Sequence, residues 1–160
     1  MSGETINNTI EKLSVRYGIL MACALGGYFF LMKVSGLEHN LELRALNLVI
    51  LVSFVLMAIK EYKKIKGGSL AYLKGLGLGI LTTMVGTLSF AIMVVFYVTV
   101  VSPEFMSLIQ NQEPFGNFLN PFLVGCTIII EGIASGFLAT YGIMQFFKPS
   151  RVNAVAEVHD

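Results

Sequence analysis

Charged residues are scarce in this sequence, and tryptophan is absent. Only 13% of its 160 residues are charged while 55% are hydrophobic, whereas a water-soluble domain has about 25% charged residues. The mean hydropathy is +0.74. A domain of this size has too little interior to hide so much apolar surface from water, so we expect lipid to be the solvent for much of it. The net charge of +1 argues against nucleic-acid binding, which needs a basic surface.

Residues that carry enzymatic chemistry are also few. Asp160 is the only aspartate, so the chain lacks the aspartates used by intramembrane aspartyl proteases and by aspartate-dependent phosphotransferases. His39 and His159 are isolated, so there is no Ser/His pair at membrane depth and no cluster with metal-ligand spacing. Cys23 and Cys126 lie in different apolar runs and are expected to be free thiols. The sequence therefore predicts no enzyme, no metal site and no cofactor.

A short basic stretch at residues 59–75, here called the lysine segment, lies between two long apolar runs. It contains five cations: Lys60, Lys63, Lys64, Lys66 and Lys74. Loops rich in lysine and arginine stay on the cytoplasmic side of a membrane, so this segment predicts the orientation of the whole chain. Two interpretations remain open for it. The segment is only a topological anchor, or it also binds anionic lipid headgroups.

Four apolar stretches are long enough to cross about 30 Å of hydrocarbon. We predict spans at about 17–34, 43–59, 69–101 and 118–147, with polar cytoplasmic tails at 1–16 and 148–160. With the lysine segment inside, both termini are inside and nine of the eleven Lys and Arg residues are cytoplasmic, while Lys33 and Arg44 are outside. The predicted fold class is thus all-α, an integral membrane four-helix bundle with its N and C termini in the cytoplasm.

Small residues recur at helical spacing in the third and fourth predicted spans. In the third span, five of them fall on one narrow strip at 100° per residue: Gly75, Gly79, Thr82, Gly86 and Ser89. The fourth span has a second such seam: Gly125, Gly132, Gly136 and Ala139. Small residues let helix backbones approach closely in lipid, so we expect these seams to pack the bundle or to join protomers.

Glu131 is the one acidic residue deep inside a predicted span. An ionised side chain at a helix centre costs about 2.5–3.5 kcal/mol on the insertion scale, so we expect Glu131 to be protonated or paired and to point into protein. Thr127 and Ser135 lie one turn to either side, and Asn47 in the second span is a candidate interhelical hydrogen-bonding group. Either Glu131 holds helices together through such groups, or it handles a proton or cation.

Several short motifs resemble one known family. They are Lys60-Glu-Tyr-Lys-Lys, Gly67-Gly-Ser, Lys74-Gly, and the glycine-rich third span followed by Pro103-Glu-Phe. Together they are similar to the small four-span membrane proteins catalogued as domain of unknown function 4199, found chiefly in Bacteroidetes bacteria. The resemblance covers most of residues 10–150. It implies four helices and a bacterial inner-membrane location, and it supplies no activity and no catalytic residues.

Two classes of function follow from these features. The leading hypothesis is a non-enzymatic structural or accessory protein that acts through helix–helix contacts, as a homo-oligomer or as a subunit of a larger membrane complex. The alternative is a small proton-coupled transporter or ion pathway centred on Glu131. In size, span number and its lone membrane carboxylate the chain is loosely similar to small multidrug transporters, whose carboxylate lies in the first helix. A water-accessible cavity lined by Glu131 favours transport, whereas a dry core favours the structural role.

Overall fold

The computed structural model is helical throughout the part of the chain that it describes. It describes residues 3–35, 41–68, 70–101, 106–107, 110–111 and 116–147, with the side chains of these residues except 3–7, 41–45 and 117. Four long helices make up most of it: α1 (Gly3–Val34), α2 (Leu41–Ile65), α3 (Tyr72–Phe96) and α4 (Pro121–Phe146). A short π-helix continues α3 over Tyr97–Val101, and a 3₁₀ turn at Gly116–Phe118 precedes α4.

The ends of α2 and α4 follow from local chemistry. After α2, Gly67 and Gly68 have φ angles of +65° and +94°, a left-handed conformation that glycine adopts without steric cost. The Gly68 N–H donates to the Lys63 carbonyl at 3.0 Å, which closes the helix in the manner of a C-terminal cap. At the start of α4, the Asn120 side chain accepts from the Leu123 N–H at 2.8 Å, and Pro121 takes the first helical position, where no N–H is required.

The helix bounds differ from the predicted spans at several ends, including the end of α2, which reaches Ile65 rather than 59, and the start of α4, which is Pro121 rather than 118. The first helix begins at Gly3 rather than near Tyr17, and Leu13 and Ser14 are buried, so the predicted N-terminal tail is mostly a continuation of α1. The third helix begins at Tyr72 rather than at 69, and its last turn widens into the π-helix. The C-terminal tail at 148–160 lies outside the described residues.

Helix α3 lies at the centre of the bundle, and interhelical contacts fix the directions of its neighbours. Gly18 of α1 lies beside Val85 of α3, and Gly26 lies beside Met93. Because these contacts follow the same order along both helices, α1 and α3 are parallel. Helix α2 returns antiparallel to α1, because Glu61 near the end of α2 pairs with Arg16 in the first half of α1, while the start of α2 follows the end of α1 after a short connection.

Helix α4 is antiparallel to α3. Its C-terminal half lies beside the beginning of α3, where Gln145 Nε2 donates to the Tyr72 hydroxyl at 3.2 Å, and its N-terminal half lies beside the end of α3, where Gly125 contacts Val95. The core between the helices is apolar and contains Met21, Val55 and Ile59, which are fully buried.

Three stretches of the described chain are long and apolar enough to cross a membrane: Asn8–Val34, Tyr72–Val101 and Pro121–Phe146. They indicate that the chain is a membrane protein. The predicted second span at 43–59 is not among them. The side chains of 41–45 are outside the described set, and the described remainder of α2 ends in charged residues, Lys60, Glu61, Lys63 and Lys64.

Candidate functional site

Helices α3 and α4 pack closely through alternating threonine and glycine. Each of three threonine side chains sits in the hollow over a glycine of the facing helix, and a Cβ on that glycine would collide with the threonine. The pairs are Gly79 with Thr140, Thr83 with Gly136, and Thr87 with Gly132. We call this set the threonine–glycine seam. It brings the two backbones close, which increases dispersion contacts where lipid provides no hydrophobic driving force.

The threonine hydroxyls of the seam are satisfied inside their own helices. Thr83 Oγ1 donates to the Gly79 carbonyl at 2.9 Å, Thr87 Oγ1 to the Thr83 carbonyl at 2.6 Å, and Thr140 Oγ1 to the Gly136 carbonyl at 2.7 Å. All three threonines are buried. Because each hydroxyl already has an acceptor one turn back, the seam needs no water, and it presents methyl groups to the glycines.

The predicted strip on α3 divides between two neighbours. Gly75 and Gly79 face α4, where a Cβ on Gly75 would lie 2.6 Å from Met144 Sδ. Thr82 and Gly86 face α1, where a Cβ on Gly86 would lie 3.1 Å from the Gly18 carbonyl oxygen. Ser89 is half-buried, and its hydroxyl donates to the Val85 carbonyl at 2.8 Å. The strip covers about 80° of the surface of α3, and part of it packs against α1 while the rest packs against α4.

The predicted seam on α4 lies against α3, as expected from its small residues. Gly132 and Gly136 receive threonines of α3, Gly125 contacts Val95, and Ala139 packs at the edge of the apolar core. Sequence reasoning missed Thr83, Thr87 and Thr140. A signal for them exists: Gly79, Thr83 and Thr87 are four residues apart, as are Gly132, Gly136 and Thr140, and the two series are complementary when read in opposite directions.

The lysine segment lies at the bundle end that contains the start of α1, the end of α2 and the start of α3. Lys60, Lys64 and Lys74 are exposed, while Lys63 and Lys66 are partly covered. The Lys63 ammonium lies 5.0 Å from the centre of the Phe147 ring, a cation–π distance. The five cations thus form a basic surface at one end of the molecule.

Glu61 ties α1 to α2 beside the lysine segment. Arg16 Nη1 lies 3.3 Å from Glu61 Oε1, and the Tyr17 hydroxyl donates to Glu61 Oε2. Tyr62, the next residue, is 1% exposed, and burial raises the pKa of its hydroxyl above the usual value. The phenol of Tyr62 therefore stays neutral at physiological pH.

The other end of the bundle carries an aromatic pair under a cation. The Phe29 and Tyr97 rings meet edge to face with centroids 5.5 Å apart, and the Lys33 ammonium lies 4.5 Å from the centre of the Tyr97 ring. Tyr97 is also the first residue of the π-helix. Lys33 therefore lies near the end of α1 over an aromatic face, and the Arg44 side chain is outside the described set.

Glu131 is exposed on the outer surface of α4, which corrects the expectation that it points into protein. The reason is angular. The glycines of the threonine–glycine seam turn toward α3, and at 100° per residue the centre of that contact lies about 140° around α4 from Glu131. The neighbouring hydroxyls do not reach its carboxyl group: Thr127 donates to the Leu123 carbonyl at 3.0 Å and Ser135 to the Glu131 carbonyl at 2.7 Å.

Asn47 is not joined to Glu131. Its Oδ1 is buried without a hydrogen-bond partner, whereas Glu131 lies on the exterior of the bundle. Over the residues described, the carboxyl group of Glu131 has no hydrogen-bond or ion-pair partner. The structure therefore does not assemble the predicted group of Glu131, Thr127, Ser135 and Asn47.

A shallow groove of about 470 Å³ opens between α3 and α4 near the π-helix. Its walls are apolar and include Ile92, Val95 and Phe96 on one side and Phe122, Cys126 and Ile129 on the other. Glu131 is not part of its lining. Within the described ranges, no three His, Cys, Asp or Glu side chains lie close enough together to hold a metal ion.

Comparison with known proteins adds one finding. Neither a curated protein nor a solved structure matches the chain. A family model described as a protein of unknown function (DUF4199) matches residues 16–115, which include all of α2 and α3 and most of α1.

Proposed function

The chain belongs to the DUF4199 family of proteins of unknown function, and on this premise we propose that it is an integral membrane protein of structural or accessory type. In this role it binds other membrane helices through helix–helix contacts, as a homo-oligomer or as a subunit of a larger membrane complex. The observation that carries the proposal is the threonine–glycine seam. The seam is closely packed and its hydroxyls are hydrogen-bonded inside their own helices, which favours a rigid bundle centre over a conducting one.

The directions of the helices support four spans. Because α1 and α3 are parallel and both are long enough to cross a membrane, the chain between them has to return across the same thickness. Helix α2 is the helix between them, and its 25 residues rise about 37 Å at 1.5 Å per residue, more than the roughly 30 Å of hydrocarbon. Its charged end, which is the first part of the lysine segment, then emerges from the membrane.

The same directions, with the lysine cations, support cytoplasmic termini. The start of α1, the end of α2, the start of α3 and the end of α4 lie at one end of the bundle. This end carries the lysine segment, and loops rich in lysine and arginine remain on the cytoplasmic side. We place this end at the inner face of a bacterial inner membrane, where its exposed cations attract anionic lipid headgroups at about 1 kcal/mol each.

The transport alternative gains no support from the site geometry. A proton pathway through Glu131 needs its carboxyl group on a water-filled route through protein. In the described part of the chain, Glu131 faces outward and the groove between α3 and α4 is apolar and excludes it. The dry seam between α3 and α4 favours the structural role.

Purification in a mild detergent, with reconstitution, tests the proposal. We expect the affinity-tagged full chain to leave the membrane of its own cell in a complex larger than one protomer and of fixed stoichiometry, as measured by native mass spectrometry. We expect liposomes that contain the purified chain to take up no more protons than empty liposomes. A protomer that purifies alone and drives proton uptake, which Glu131→Gln abolishes, contradicts the structural role and establishes the transport alternative.

A further inference from the structure

Helix α4 is the least covered of the three helices that are long enough to cross a membrane. Only 11% of its most apolar window is buried inside the bundle, against 33% for both α1 and α3. Glu131 is on the uncovered side. At 1.5 Å per residue it lies about 15 Å from Pro121 and about 22 Å from Phe146, so it sits near the middle of the span, at the depth where lipid is least polar.

The carboxyl group of Glu131 therefore has unmet hydrogen-bonding capacity. Even as a neutral acid it presents one O–H donor and a carbonyl acceptor, and hydrocarbon chains satisfy neither. The two nearest hydroxyls on α4, those of Thr127 and Ser135, already donate to backbone carbonyls. The partner has to come from outside the protomer and has to offer polar groups at the depth of Glu131.

We propose that this partner is a second copy of the chain, docked through the exposed face of α4 so that the two Glu131 carboxyl groups hydrogen-bond to each other. The proposal rests on the proposed function only in requiring that α4 spans the membrane. Two copies inserted in the same orientation are related by a two-fold axis along the membrane normal. Every residue of α4 then lies at the same depth in the membrane as its equivalent in the other copy. The second copy therefore brings a carboxyl group to the depth of Glu131.

The exposed residues within one turn of Glu131 on this face of α4 are small, whereas Leu138, two turns further on, is 69% exposed. Thr127 and Ala134 are exposed beside it, and Gly142 lies on the same face, within about 20° of Glu131 at 100° per residue. A Cβ on Gly142 would meet nothing within 4 Å in the protomer, so this glycine is not needed for packing inside the bundle. Small residues on both sides of a polar group are typical of membrane helix interfaces.

Disulfide crosslinking in native membranes tests the interface. In full-length chain with Cys23→Ala and Cys126→Ala, Ala134→Cys places one thiol on the α4 face. The matched control keeps native Cys23, which is exposed on α1, and carries only Cys126→Ala. We expect an oxidant to crosslink the Ala134→Cys protein into a disulfide dimer and to leave the control monomeric. Equal crosslinking of both, or of neither, overturns the proposal.

Substitution of the carboxyl group tests its role in the same background. Glu131→Gln retains a donor and an acceptor, and we expect the crosslinked fraction to be unchanged. Glu131→Leu removes both, and we expect dimer affinity to fall about tenfold, as for the loss of an interhelical polar pair. Because Glu131 is exposed, neither change should affect the protomer fold, which circular dichroism verifies. An undiminished dimer in Glu131→Leu overturns the pairing of carboxyl groups.

The outcomes separate this inference from the proposed function. If Ala134→Cys gives no dimer but the chain still purifies with a different membrane protein, the proposed dimer through α4 is wrong and the structural role stands. If the chain crosslinks through α4 and also drives proton uptake that depends on Glu131, the dimer stands and the structural role is wrong.

Discussion

At the scale of single residues, the threonines of the seam act through their methyl groups. Thr83 Cγ2 sits in the hollow over Gly136, while its hydroxyl bonds to its own helix at Gly79. The contact across the helices is therefore one of shape, and the hydroxyl contributes by remaining satisfied while buried. Because of this division of roles, removing the methyl group and removing the hydroxyl should have different effects.

We expect Thr83→Ser to destabilise the bundle more than Thr83→Val does. Serine keeps the hydroxyl but removes the methyl, which leaves a void over Gly136 and costs about 1 kcal/mol. Valine keeps both branches and loses only a hydrogen bond to the Gly79 carbonyl, which the helix backbone also satisfies, so the cost is about 0.5 kcal/mol, the low end for a hydrogen bond. Reversible unfolding by SDS in mixed micelles measures both free energies. A larger loss for valine than for serine would mean that the hydroxyl acts across the interface.

Close approach at the glycines gives a second prediction. Gly136→Ala introduces a Cβ that collides with Thr83, and overpacking of this kind costs about 1–3 kcal/mol. Gly77→Ala on α3 is the matched control, because a Cβ there meets nothing within 4 Å, and we expect no loss of stability. The same SDS titration compares the two variants, and equal effects at both positions would show that close packing at Gly136 is not what stabilises the bundle.

At the scale of helix pairs, Glu61 joins α2 to α1 by two unequal interactions. The Arg16 side chain is 66% exposed, so its ion pair is screened by water and is worth about 0.2–1 kcal/mol. Tyr17 is 7% exposed, and a hydrogen bond to a charged group in such a place is worth about 1.5–3 kcal/mol. The tyrosine rather than the arginine therefore carries most of the coupling.

Two double-mutant cycles check this ranking. We expect Tyr17→Phe with Glu61→Gln to give the larger coupling energy, unaffected by salt, and Arg16→Gln with Glu61→Gln to give a small one that disappears at high ionic strength. The free energy of unfolding is measured for each single and double variant at low and high salt. A salt-sensitive arginine coupling that exceeds the tyrosine coupling would contradict the assignment.

The sequence predicts the helices well, because their ends are encoded locally. Gly67-Gly68 follows the end of α2 and Pro121 begins α4, and both are residue types that end or begin helices. The neighbour of each seam residue was not predictable in this way. A helical wheel gives the angle between Gly79 and Gly86, but only the arrangement of three helices decides that one faces α4 and the other α1.

The orientation of Glu131 was mispredicted for the same reason. Its position beside the small residues of α4 is correct on the wheel, yet the buried direction is set by where α3 lies. The roles of the threonines at 83, 87 and 140 do not follow from their hydrogen-bonding groups. In the structure they are shape partners of glycine, and this role becomes apparent only when both helices are read together, in antiparallel order.

At the scale of the whole molecule, the directions of the helices and the position of the lysine segment together predict the topology. Helices α1 and α3 run one way and α2 and α4 the other, so the start of α1, the end of α4 and the lysine segment lie at the same end of the described bundle. Among the described residues, three helices meet the length and composition expected of a membrane span. In the proposed four-span arrangement, α2 completes the path because it joins opposite ends of two parallel helices.

Thiol labelling in intact cells distinguishes this topology from any with an odd number of spans. In a background with Cys23→Ala and Cys126→Ala, we expect Lys64→Cys, exposed in the lysine segment, to react with a membrane-impermeant maleimide only after permeabilisation. Ser35→Cys, exposed at the far end of α1, is the matched control and should react without it. If α2 lies on the membrane surface instead of crossing it, both thiols become accessible from the same side, and the four-span arrangement with its cytoplasmic lysines is wrong.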